Sequence, residues 1–110
     1  MFEFLNDFYN YEERKVANWE EGDRMVDTAR VSDGEKPYET AFQHPEYNDG
    51  KMIIVEAYDT KEKAQTGHER WLKVMTEGPL PDALTDCCNA GVAVFCEALG
   101  SEMTFKRQPR

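Results

Sequence analysis

Five side chains in this sequence are natural soft-metal or nucleophile candidates: His44, His68, Cys87, Cys88 and Cys96. Together they could nominally complete a four-ligand zinc site. Their spacing argues against it. A zinc site is usually announced by short ligand pairs such as C-x-x-C or H-x-x-x-H, and none is present. Adjacent cysteines do not easily aim at one ion. His44 precedes Pro45 in a turn and His68 flanks an apolar helix face, so both are expected to hydrogen-bond structurally. Cysteine–histidine nucleophilic chemistry needs an activated thiolate. The one activating feature is Asn89, which could cap a helix just after Cys87 and Cys88, and the acidic surroundings oppose it. The cysteines are therefore read as small buried hydrophobes.

Carboxylate pairs are too abundant to single one out, with Glu12-Glu13, Glu20-Glu21 and Glu46 with Asp49 all available. Glu56 stands apart because it interrupts the most apolar run, Met52 to Tyr58. A solvent-facing or edge position is the ordinary expectation, then a salt bridge to Arg30 or Lys51. A general base would need a partner acid or nucleophile, and none is evident. The 44–50 loop lacks the alternating oxygen ligands of a calcium loop, and no glycine-rich phosphate loop occurs. The reading is of a non-enzymatic chain with no catalytic residues, no metal and no cofactor.

The strongest functional candidate is the N-terminal segment. Phe2, Phe4, Leu5, Phe8, Tyr9 and Tyr11 carry a large aromatic payload for so short a piece. Phe2, Leu5, Phe8 and Tyr9 share one side of a possible helix. Isolated helices below ~12–15 residues are marginal in water, so this one must dock. Membrane-surface helices pair such a face with Lys or Arg. Here the polar side is acidic, so a protein groove or a second copy of the chain is favoured over lipid. Packing on its own sheet is the competing role. Phe2, Phe4, Leu5, Phe8 and Tyr9 are the expected partner-binding residues.

Elements to position these groups are readable along the chain. Residues 15–20, 25–31, 38–43 and 52–58 form short alternating or apolar runs parted by turn residues. Met52 to Tyr58 is apolar on both faces, with Ile53, Val55 and Ala57 on one, which suits a central strand. Asp59 is placed to cap a helix, with Glu62 closing a capping box. Ala64, Gly67, His68, Trp71, Leu72 and Met75 make that helix's apolar stripe, with Trp71 expected on Ile53, Val55 or Ala57. Gly67 suggests close approach of helix to sheet. Gly78 and Pro79 end the helix. Residues 82–99 admit a helix from Ala90 to Leu99 or a strand, and caps and length favour the helix. The fold class is α+β: an antiparallel four-stranded meander packed against one or two helices. The expected division is an aromatic segment at 1–13, one domain at 14–100 and a polar tail at 101–110.

Composition sets outer bounds. With 110 residues the chain can bury one core. Its net charge of −9 disfavours nucleic acid, whose binding rests on neutralising phosphates. It suits solubility, a basic protein partner or a cation-binding surface. An odd set of three cysteines argues against a secreted disulfide scaffold. No run approaches the ~20 apolar residues of a membrane span. Glu3 and Asp7 make the N-terminus a poor signal peptide.

The runs Thr28-Ala29-Arg30-Val31, Pro37 to Ala41, His44 to Gly50 and Ile54 to Thr60, with Gly67-His68 and Trp71, resemble a group of small uncharacterised proteins of tailed bacteriophages and prophages. The aromatic opening is similar to theirs, whereas Cys87-Cys88 and the basic tail depart from the pattern. The resemblance implies a location in the host cytoplasm or virion. It implies either a small virion or assembly component or an acidic accessory protein that binds and modulates a host factor. It brings no catalytic residues.

Overall fold

Alternation of side chains builds the first half of the fold. The computed structural model describes residues 14–31, 36–87 and 104–109. The aromatic segment with Phe2, Phe4, Leu5, Phe8 and Tyr9, the expected helix at 90–99, and Cys88 and Cys96 lie outside the described residues. Strands β1 (Lys15–Glu21), β2 (Arg24–Arg30), β3 (Tyr38–Gln43) and β4 (Ile53–Tyr58) form one antiparallel sheet in chain order. Helix α1 (Lys61–Glu77) packs across one face. This is the α+β meander expected from the sequence, covered by one helix among the described residues.

The cross-strand register explains the core. Val26 pairs with Phe42 and Thr28 with Thr40, so all four side chains share the face under α1. All four are fully buried. Trp19, opposite Val26, extends the layer, and α1 contributes Ala64, Met75 and the half-buried Trp71 and Leu72. Phe42 sits at the crossing, with ring centroids 5.6 Å from Trp71 and 6.2 Å from Tyr47, both edge-on.

Three details differ from expectation. The helix is capped by Thr60, whose hydroxyl accepts from the Lys63 N–H at 3.2 Å. Extended backbone at Thr60 makes it the first usable oxygen, so Asp59 and Glu62 form no capping box. Asp59 instead faces Lys63 across 4.0 Å of solvent-exposed surface. The helix ends at Gly78 as foreseen, at φ 68°, where its N–H reaches back to the Lys73 and Val74 carbonyls.

Strand β4 closes an edge of the four-stranded sheet instead of lying at its centre. Its apolar character on both faces comes from a bulge. Ala41 pairs with Ile54 and Thr40 with Glu56, leaving Val55 as an extra residue. The bulge shifts the alternation by one. Ile53, Glu56 and Tyr58 therefore all turn toward α1. Asp86 and Cys87 cover the outer edge. The Cys87 N–H donates to the Ile54 carbonyl at 2.6 Å, and the Ile54 N–H donates to Asp86 Oδ1 at 3.3 Å.

Residues 104–106, expected in a polar tail, form β6 (Thr104–Lys106), paired antiparallel with β5 (Ala83–Thr85). Leu84 is buried in the main core and Phe105 packs against it. Beyond β6 the Arg107 side chain donates to Glu46 Oε1 at 3.1 Å, and the Gln108 N–H donates to the Glu46 carbonyl at 2.7 Å. The segment thus straps the loop after β3.

Candidate functional site

The bulge at Val55 aims a carboxylate at the helix. Glu56 Oε1 accepts from the Trp71 indole N–H at 2.8 Å, from the Tyr58 hydroxyl at 3.3 Å and from the Arg70 guanidinium. Burial alone would raise the Glu56 carboxyl. The Trp71 and Arg70 hydrogen bonds and the Arg70 charge outweigh it and hold the group below its ordinary value. The expected partners Arg30 and Lys51 are not used, because register now presents Glu56 to α1. No short-range sequence signal marks the bulge.

Glu56 lines a cleft of about 480 Å³ between β4 and the first turns of α1. Tyr58, Glu62, Lys63, Gly67 and Arg70 share the lining, and Lys36 stands at its side. Gly67 lets the helix descend onto the Tyr58 ring, since a Cβ there would collide with the phenol. The close approach expected from that glycine is thus present.

Behind the cleft runs a buried polar chain. Tyr58 Oη lies 2.9 Å from Thr40 Oγ1. Thr40 Oγ1 is 2.6 Å from Thr28 Oγ1, which is 2.7 Å from His68 Nδ1. Thr28 and Thr40 are fully buried and His68 is 5% exposed. Burial pushes the His68 pKa down, against the opposing charges of Asp27 and Glu69. Tyr58 is pushed up, first by burial. Sequence reasoning placed His68 at the core edge but did not connect it to the two threonines. Their matching alternation in β2 and β3 was the available signal.

The other candidates are held apart. His44 Nδ1 accepts from the Glu46 N–H at 3.1 Å, within its own turn, and its ring meets Tyr47 edge-on. Burial, aided by Arg24, lowers its pKa. Cys87 is exposed, with its thiol 3.6 Å from the Val55 carbonyl. Desolvation and the Asp86 charge push that thiol up, which disfavours a thiolate. Among the described residues no group of three His, Cys, Asp or Glu side chains is placed to hold a metal. Among them, too, no helix is long and apolar enough to cross a membrane.

A second, smaller depression of about 190 Å³ lies on the sheet face away from α1. Ala29, Ala41, Met52 and Ile54 line it together with Arg14, the first described residue. Met52 is 52% exposed there.

No protein-family model, curated protein or solved structure matches this chain.

Proposed function

We propose that this chain is a non-enzymatic protein-binding domain whose docking element is the aromatic segment carrying Phe2, Phe4, Leu5, Phe8 and Tyr9. The observation that carries the reading is where that segment joins the domain. Arg14 lines the depression on the open sheet face beside Ala29, Ala41, Met52 and Ile54. The segment therefore joins the domain at a depression in which these apolar side chains are rimmed by Asp27, Arg30 and Glu39, and the two can grip one partner together. The partner fitted by a chain of net charge −9 is a protein with an apolar groove rimmed by Lys and Arg.

The chemistry-bearing groups support binding over catalysis. Glu56 is held ionised by three donors, His44 serves its own turn and the Cys87 thiol is raised. In the phage setting that the sequence resemblance implies, such a domain serves as a small virion or assembly component. The acidic charge favours one other role, an accessory protein that binds a host factor.

The test is sedimentation of the full chain and of a Phe4→Glu/Phe8→Glu variant at low and high salt, alone and with candidate virion proteins. The variant should keep its circular dichroism and lose association, and wild-type association should weaken with salt. Unfolding of the variant would place the segment in the core and end this reading. Mass spectrometry of purified virions separates the two roles.

A further inference from the structure

The buried chain from His68 to Glu56 has a direction. Glu56, a carboxylate paired with Arg70 and Trp71, has no hydrogen to give, so at their 3.3 Å contact the Tyr58 hydroxyl is the donor. A phenol carries one hydrogen. With that hydrogen donated to Glu56, Tyr58 can only accept from Thr40 across their 2.9 Å contact. Thr40 has then spent its hydrogen and must accept from Thr28, 2.6 Å away. Thr28 in turn must accept from His68 Nδ1 at 2.7 Å. The opposite order would set two oxygens, Tyr58 Oη and Glu56 Oε1, against each other with no hydrogen between them.

We infer that this chain is a one-way hydrogen-bond relay in which Glu56, at the cleft, dictates that His68 carries its proton on Nδ1 and presents a bare Nε2 lone pair. Each link fixes the next because every hydroxyl in it has one hydrogen to give. His68 is thereby kept as an acceptor, with Asp27 and Glu69 as the charges nearest in influence. The cleft and the buried seam between α1 and β2 become coupled. A ligand in the cleft that displaces Glu56 and donates to Tyr58 Oη lets the phenol give its hydrogen to Thr40 instead, which frees the order of the whole chain. It is then registered at His68, four hydrogen bonds away. This inference is independent of the partner-binding reading.

Long-range proton–nitrogen NMR of the uniformly labelled full chain reads the tautomer directly, at a pH where His68 is neutral. The expected wild-type result is a protonated Nδ1 and an unprotonated Nε2 at His68. Tyr58→Phe keeps the ring over Gly67 and removes the link to Glu56, so the Nδ1–H form should lose its dominance. Thr40→Val cuts the chain one link further in and should do the same, which keeps the test open if one variant fails to fold. A wild-type His68 dominated by Nε2–H, or evenly mixed, would overturn the relay. So would a tautomer unchanged in a folded variant, since the order would then be set locally.

Discussion

The Trp71 indole N–H donates to Glu56 Oε1 at 2.8 Å, across the seam between α1 and β4. That contact ties the largest side chain on the helix to the one carboxylate that the bulge turns inward. On its other side the same ring meets Phe42 edge-on. Trp71 is thus held by a hydrogen bond to a charged group and by aromatic packing at once.

Two substitutions separate those contributions. Trp71→Ala should cost about 3–5 kcal/mol, from lost burial and the cavity left behind. Trp71→Phe retains an aromatic ring and loses the N–H, so about 1 kcal/mol is expected, with the half-exposed Arg70 still paired to Glu56. Urea titration of both variants checks this. Equal losses would mean that packing against Phe42 contributes little.

Gly67→Ala should destabilise the domain, contrary to the gain of about 1 kcal/mol that alanine brings to an open helix position. The added methyl would strike Tyr58 Oη, Cε1 and Cζ. Forced repacking of this kind costs about 1–3 kcal/mol. Tyr58→Leu removes the obstructing ring, so the pair should show strong coupling in a double-mutant cycle. Additive losses would mean that the helix simply rides outward.

Acid should weaken the fold in two stages. His44 and His68 both fall below their ordinary value of 6.5, burial being the main cause. A depressed group gives stability that is complete above its unfolded pKa and is lost as pH falls through its folded one. The decline therefore begins below pH 6.5. Glu56, lowered from its ordinary 4.5, adds a second decline in the acid range below that value. Thermal melting from about pH 8 to about pH 3 reads both stages. His68→Asn cannot titrate and should soften the first. A wild-type Tm that stays flat down to pH 5 would contradict the role of the buried histidines.

Much of this architecture was legible because it is local. The alternation of Tyr38, Thr40 and Phe42, and the stripe Ala64, Gly67, His68, Trp71 and Met75, each follow the period of their own element. What escaped was set between elements. The extra residue at Val55 exists only relative to β3, so no pattern within Met52 to Tyr58 could turn Glu56 inward. Thr60 displaced Asp59 as the cap by one position, a difference of backbone angle and not of residue type. The three-residue strands β5 and β6 carry too few side chains to show a period, and their pairing joins distant stretches of chain. The proposal that Phe2, Phe4, Leu5, Phe8 and Tyr9 dock on a partner rests on composition and helical spacing, and on Arg14 lining the depression just ahead of β1.

The strap formed by β6 bears on the order in which the molecule assembles. Among the described residues, strands β1 to β4 pair only with sequence neighbours, so their loops close over short stretches at little entropic cost. The β5–β6 ladder closes a longer stretch, from residue 85 to residue 104, and is expected to form later. Contacts made after the rate-limiting barrier influence escape from the native state more than arrival at it. Phe105, packed on the core from the last strand, therefore acts as a latch: loosening it should shorten the native lifetime while leaving the folding rate almost untouched.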